Sequence, residues 1–342
     1  MDDKCIKDFY ALKNMLEEKT SDQLFNFCYR GFSVEYEKAL IKQKKVFRFL
    51  YKKYFRKFYI FRKIRNLILK EELIVDKSIL LDKRQYLYEF MLVYNPVLNP
   101  PNDRLKMIEE LKIFIEDYNW LYERLVDNTS RNVLFNTLMY RITGKIMYLT
   151  AVLERKYDQY FDKDFMKCDE NEVFVDCGGY IGDTVQKYVE NYTKYKKIYI
   201  YEPSDENFKA ATNTLKGQEN VIFRKCGVSN SDEVLSFNNT NTAGSKFTEN
   251  GGKQVAVVTI DKDISEKVTF IKMDIEGYEL KALQGAIEHI KNDKPKLAIC
   301  LYHLIDDMRK IPKFVDNLNP NYKFYLRNYD EIFGETILYA VV

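Results

Sequence analysis

The stretch VFVDCGGYIGDTVQKY, Val173 to Tyr188, runs through apolar and β-branched residues to Asp176, then places Gly178, Gly179 and Gly182 ahead of a helix-like segment. Glycines at a strand-to-helix turn let backbone N–H groups come close to a ligand. A dinucleotide pyrophosphate asks for G-x-G-x-x-G, whereas Asp176, Gly178 and Gly182 are spaced as D-x-G-x-x-x-G. The acid in front would repel a pyrophosphate and suits a cation. Glu202 closes the next strand-like run, KIYIYEP, where an acid can accept hydrogen bonds from ribose hydroxyls. S-adenosylmethionine meets both demands, since it joins a sulfonium and an ammonium to adenosine. Its carboxylate can use the N–H groups of the turn and of the helix start.

Methyl transfer from a sulfonium is an in-line displacement that needs alignment and the removal of one proton. A hydroxyl acceptor therefore needs a base. The only two histidines are His289 and His303. His289 falls within GAIEHIKN, a helical pattern, and is expected at the surface. His303 follows the strand-like PKLAICLY, and an imidazole with an ordinary pKa near 6.5 could act as base there or make a structural hydrogen bond. Asp274, which ends VTFIKMD, is the rival base. No metal is predicted, although Asp274 with Asp306 or Asp307 could hold Mg²⁺. Asp306 and Asp307 open a helix, where acids also suit the N-terminal dipole.

These residues need a scaffold that brings strand ends together. From Glu172 onward, strand-like and helical patterns alternate, which requires a mostly parallel sheet covered on both faces. The last two strand-like runs, YKFYLRNY and TILYAVV, read as an antiparallel hairpin. Ligands of such sheets bind outside the carboxyl ends of the strands, near the switch in strand order. That rule gathers Asp176 to Asp183, Glu202, Cys226 and Gly227, Asp274, and Tyr302 and His303. Residues 1–161 read as a helical N-terminal region, with a sub-boundary at the proline-rich loop of residues 95–103, and residues 162–342 as the catalytic domain.

The 342 residues suffice for two domains or one elaborated α/β domain, and 23 Phe and 27 Tyr make much of the core aromatic. The six cysteines are scattered without a C-x-x-C pair and read as reduced thiols. The N-terminus lacks a signal pattern and no apolar run is long enough to span a membrane, so a cytoplasmic location is expected. Ile41 to Lys70 carries twelve Lys or Arg and no acid, against a net charge of +3 for the whole chain. Three readings of this segment stand: a solvated helix face over aromatic residues, a contact with anionic lipid at the inner membrane surface, or, least favoured, nucleic acid. The oligomeric state is left open.

FVDCGGYIGDT, YIYEPS, FIKMDIEGYELKALQGA, AICLYH and the terminal YLRNYDEIFGETILYAVV, in that order and spacing, resemble the FkbM-type S-adenosylmethionine-dependent methyltransferases. The resemblance covers about 165–342, with a weaker likeness in LVDNTSRNVLFNTLMYRITG. It implies a Rossmann-like class I methyltransferase sheet and, mostly, O-methylation of sugars, glycan precursors or secondary metabolites. It further implies that Asp176, Gly178, Gly179 and Gly182 line the methionine side of the cofactor, with Asp183 and Thr184 at the helix start. Glu202 would hold the ribose, Cys226 and Gly227 would flank adenine, and Asp274, Glu276 and Gly277 would lie near the transferred methyl. A non-catalytic scaffold of the same fold, docking through its basic helical region, is one alternative. A nucleic-acid methyltransferase is another, disfavoured because DIEGYE stands where amino-methylating enzymes carry N/D-P-P-Y/F.

Overall fold

The structure, a computed structural model, describes residues 3–19, 101–144, 147–238, 246–247, 252–331 and 334–342. The basic segment from Ile41 to Lys70 and most of the loop of residues 95–103 lie outside them. Two compact units are present: Met1–Ile6 with Phe114–Thr137 and Leu149–Val342, and Lys7–Ile113 with Leu138–Tyr148. The junction expected at 161/162 lies inside the first of these.

The described residues of the second unit are mainly helical. Helix α1 (Asp3–Glu18) buries Phe9, Leu12 and Leu16, the start of α2 (Pro101–Arg124) buries Met107, Ile108 and Leu111, and the end of α3 (Asn128–Thr143) buries Leu138 and Ile142. These apolar residues recur three or four apart, as an amphipathic helix requires. Helix α2 loses helical geometry at Phe114 (φ −118°, ψ 24°).

The first unit contains a seven-stranded sheet. Its strands are β1 (Val173–Cys177), β2 (Lys197–Tyr201), β3 (Val221–Arg224), β8 (Phe270–Met273), β9 (Lys296–Cys300), β10 (Lys323–Asn328) and β11 (Thr336–Val341). The order is β10-β11-β9-β8-β1-β2-β3, parallel except for β11, which runs antiparallel to both neighbours. The hairpin expected at the C-terminus is therefore present, and the strand order reverses direction at β1. A smaller sheet, β4-β7-β5-β6, joins β4 (Gly227–Val228), β5 (Glu233–Asn238), β6 (Lys246–Phe247) and β7 (Lys253–Val258). The run NVIFRKCGVS thus contributes one strand to each sheet.

Strand β1 is buried along its whole length, as a central parallel strand must be. Phe174 and Phe270 are register partners on β1 and β8, and their rings stack at 4.5 Å. Tyr188, from α4 (Asp183–Asn191), stacks on Phe174 at 4.9 Å. Offset aromatic pairs of this kind add about 0.5–1.5 kcal/mol beyond their burial.

The chain ahead of β1 closes the β10 edge. Arg327 reaches Asp162 (Nε to Oδ2, 3.0 Å) and Asp127 (Nη2 to Oδ2, 2.9 Å), while Ser130 Oγ accepts from the Leu326 amide at 2.9 Å. The first half of α3 thus belongs to the same unit as the sheet.

The helical segment that follows β8 is interrupted ahead of His289. Helix α6 (Glu279–Gln284) stops at Gly285, where a Cβ would meet the Ser229 carbonyl oxygen at 2.0 Å, and a π-turn follows over His289–Asp293. His289 is buried rather than on the surface. Its ring bridges Asp293 Oδ2 (2.6 Å) and the Ile264 carbonyl oxygen (3.0 Å), so its role is structural. Cys168, Cys177, Cys226 and Cys300 are free, and no helix among the described residues is long and apolar enough to cross a membrane.

Candidate functional site

The carboxyl ends of β1, β2, β8 and β9 open onto a cavity of about 740 Å³. Its floor is the turn after β1. Gly178 has φ +83°, and a Cβ there would meet the Asp274 carbonyl oxygen at 1.9 Å, so no other residue fits. The Gly178 and Gly179 amides both donate to the Tyr201 carbonyl at 3.0 Å, which ties the turn to the end of β2. Gly182, at φ +84°, precedes α4.

Of the residues selected from sequence, Gly178, Asp183, Thr184, Glu202, Gly227, Asp274 and His303 line the cavity, with Glu276 and Tyr302. Asp176, Gly179, Gly182 and Cys226 do not. Gly179 packs on the Ile200 side chain, and Gly182 faces Ala211. Burial pushes the Cys226 thiol up to about 11, so it is a neutral group beside the cavity rather than an ionised one. Asp176 lies beneath the turn, fully buried, with its Oδ1 2.9 Å from Lys272 Nζ. Burial alone would strip the proton from Lys272, but the charges of Asp176 and Asp274 hold it on. The ammonium also donates to the Gly178 carbonyl at 2.8 Å.

Glu202 reaches the cavity from the end of β2. The Ser204 amide donates to its Oε1 at 2.8 Å, and the Tyr180 amide donates to its Oε2 at 2.9 Å. Burial raises its pKa above the ordinary value, against the lowering effect of those two amides. Ser204 caps α5 (Asp205–Thr214), so the same short loop fixes Glu202 and starts the helix.

The opposite wall is built around Asp274. Tyr160 donates to its Oδ2 at 2.9 Å, and the Tyr302 hydroxyl lies 3.2 Å from both carboxylate oxygens. Tyr160 holds φ +73°, a left-handed conformation uncommon outside glycine, and its amide donates to Tyr339 Oη at 2.8 Å. Glu276 also has positive φ, +56°. Glu279 is fully buried and accepts from the Ile275 and Gly277 amides at 2.8 and 3.0 Å.

Its Oε1 also meets His303 Nδ1 at 2.8 Å. Burial would lower the His303 pKa, but Glu279, Asp274 and Glu276 push it up to about 9. His303 is therefore an imidazolium at neutral pH, not the neutral base expected from an unperturbed ring. Asp307 accepts from the Leu304 amide at 2.9 Å, and the ligand atoms that gather with Asp274 are those of Glu276 and His303 rather than of Asp306 or Asp307.

Sequence reasoning missed Lys272 and Tyr160. A lysine inside the buried run FIKMD signals a buried partner, since an ammonium does not enter a core alone. Tyr160 carries no such signal, because only the packing of the lead-in chain brings it to Asp274.

Residues 176–330 match the family model described as Methyltransferase FkbM domain. In fold the chain is similar to the methyltransferase FkbM from Methylobacillus flagellatus KT, with TM-score 0.64, 22% identity, and coverage of 82% of this chain and 76% of that one. Weaker overlaps are with an rRNA methylase from Streptococcus thermophilus (TM-score 0.33, 14% identity, 50% of this chain, 86% of that one) and with Aeropyrum pernix fibrillarin holding S-adenosyl-L-methionine (0.33, 10%, 52% and 71%). No curated protein matches the chain. The match over residues 176–330, to the family that the spaced motifs resemble, spans the glycine turn and the strand ends that line the cavity.

Proposed function

We propose that the protein transfers a methyl group from S-adenosylmethionine to a hydroxyl of a sugar or glycan precursor. The observation that carries the cofactor is the charge of the cavity. Five carboxylates line it (Asp183, Glu202, Asp274, Glu276 and Glu335) against Lys187, Lys272 and the imidazolium of His303. Such a lining favours a cationic ligand and opposes a pyrophosphate or a nucleic-acid backbone. When bound, S-adenosylmethionine supplies a methyl already activated by its sulfonium.

The chain's residues bind and align. Glu202, held by two backbone amides, presents its remaining acceptor capacity to ribose hydroxyls. Gly178 keeps the turn low enough for backbone approach, and Asp183 and Thr184 face the methionine end at the start of α4. The acceptor end carries Gln159, Tyr160, Tyr302, Glu335 and Asp274, all hydrogen-bonding groups, which suits a hydroxyl-rich molecule better than an apolar one. With His303 already protonated, Asp274 is the group placed to take the acceptor proton.

Calorimetry with S-adenosylmethionine and its demethylated product tests the cofactor. Glu202→Ala should weaken both at least tenfold, about 1.4 kcal/mol. Unchanged affinity would remove the ribose assignment, and tighter binding of NAD than of S-adenosylmethionine would remove the cofactor. Product analysis with candidate sugars tests the acceptor, and methyl found on nitrogen would overturn the hydroxyl reading.

A further inference from the structure

We infer that Asp274, Glu276 and His303 form a binding site for a divalent transition-metal ion of the Mn²⁺ kind, open to the cavity. One ligand atom from each residue lies within 4.8 Å of the other two. His303 Nε2 stands 3.4 Å from Asp274 Oδ1 and 3.7 Å from Glu276 Oε1. Atoms bound about 2.1 Å from a common ion at octahedral or tetrahedral angles lie about 3.0–3.4 Å apart, so closure on a metal needs only small movements.

The histidine supplies an independent observation. Its side chain is only 9% exposed, yet Nε2 has no hydrogen-bond partner. A buried ring nitrogen left in this way is costly unless something meets it, and a metal there would take the place of the Nε2 proton of the imidazolium, which would be released to water. The other ring nitrogen is held by Glu279, itself fixed by two backbone amides. A carboxylate behind one imidazole nitrogen, with the second nitrogen turned toward other ligands, is how proteins orient metal-binding histidines. Tyr160 and Tyr302 do the same for Asp274 by fixing its carboxylate.

The ligand set is two carboxylates and one imidazole. Carboxylates suit Mg²⁺ and Mn²⁺, and the imidazole shifts preference toward the transition ion. All three residues line the cavity, so the remaining coordination positions face it. The site stands on its own geometry, but its use rests on the hydroxyl-methylation reading. A metal there would lower the pKa of an acceptor hydroxyl, whose proton then passes to water rather than to Asp274.

The experiment titrates Mn²⁺ alone into the full chain, reading free Mn²⁺ by electron paramagnetic resonance, with S-adenosylmethionine affinity measured in parallel. One bound ion per chain is expected, with at least tenfold weaker binding in Glu276→Gln and in His303→Ala. Circular dichroism checks that each variant is folded. Because Glu276 is at the cavity surface, its conservative variant carries the test if His303→Ala does not fold. Absence of Mn²⁺ binding at millimolar concentration, or equal binding by wild type and Glu276→Gln, overturns the site. Mn²⁺ binding that depends on these residues, in a chain that does not bind S-adenosylmethionine, supports the metal site and removes only the cofactor reading.

Discussion

Lys272 Nζ lies 2.9 Å from Asp176 Oδ1 with both side chains almost wholly buried, so the acid of the glycine-turn motif is neutralised from within the sheet. The residue most visible in the sequence motif therefore supports the turn from below. Lys272→Met should leave an unpaired carboxylate in the core and cost about 3–5 kcal/mol. Adding Asp176→Asn should recover much of that loss. Denaturant midpoints of the two single variants and the double variant measure it, and strictly additive losses would show that the pair is not coupled.

Gly178 and Gly217 share a left-handed backbone, at φ +83° and +89°, but only Gly178 has neighbours in the way. Gly217→Ala should cost about 1–2 kcal/mol from backbone strain alone. Gly178→Ala must also displace the Asp274 carbonyl, so it should destabilise more and weaken S-adenosylmethionine binding. Equal thermal shifts for the two variants would contradict the close approach.

Asp307 makes stability depend on pH. Burial, then the charge of Glu279, pushes its carboxyl up to about 7, with Asp306 adding to the effect and the Leu304 amide and His303 opposing it. An ordinary Asp titrates near 4, so between about 4 and 7 the folded state binds a proton that the unfolded chain has lost. The contribution of this group to stability is therefore present at low pH and is lost as pH rises to about 7. Asp307→Asn should remove a falling slope of at most about 1.4 kcal/mol per pH unit from the urea-unfolding curve in that window. Parallel curves for wild type and variant would refute the assignment.

His289→Ala should lower stability by about 1–3 kcal/mol, because it removes the ring's hydrogen bonds to Asp293 and to the Ile264 carbonyl. Cofactor affinity should not change, since the ring does not line the cavity. A variant of normal stability with weakened cofactor binding would reverse both statements.

The sequence alone determined the parallel sheet, the terminal hairpin and the alignment of Gly178, Glu202 and Asp274 at strand ends. Each of these rests on local pattern: apolar runs of strand length, glycines where the backbone must turn, and acids just beyond the last residue of a strand. What each acid does was decided by burial and by partners distant in sequence. Asp176 lies inside β1, in register with Ile200 and beside Lys272 of β8, which covers it, while Glu202 lies just beyond the end of β2, meets nearby amides and stays at the cavity. His303 likewise reads as a near-neutral base by residue type, and becomes an imidazolium because the turn after β8 folds Glu276 and Glu279 around it. Strand periodicity encodes direction and register, but a charge acquires its state from the dielectric and the neighbours that only the folded chain assembles.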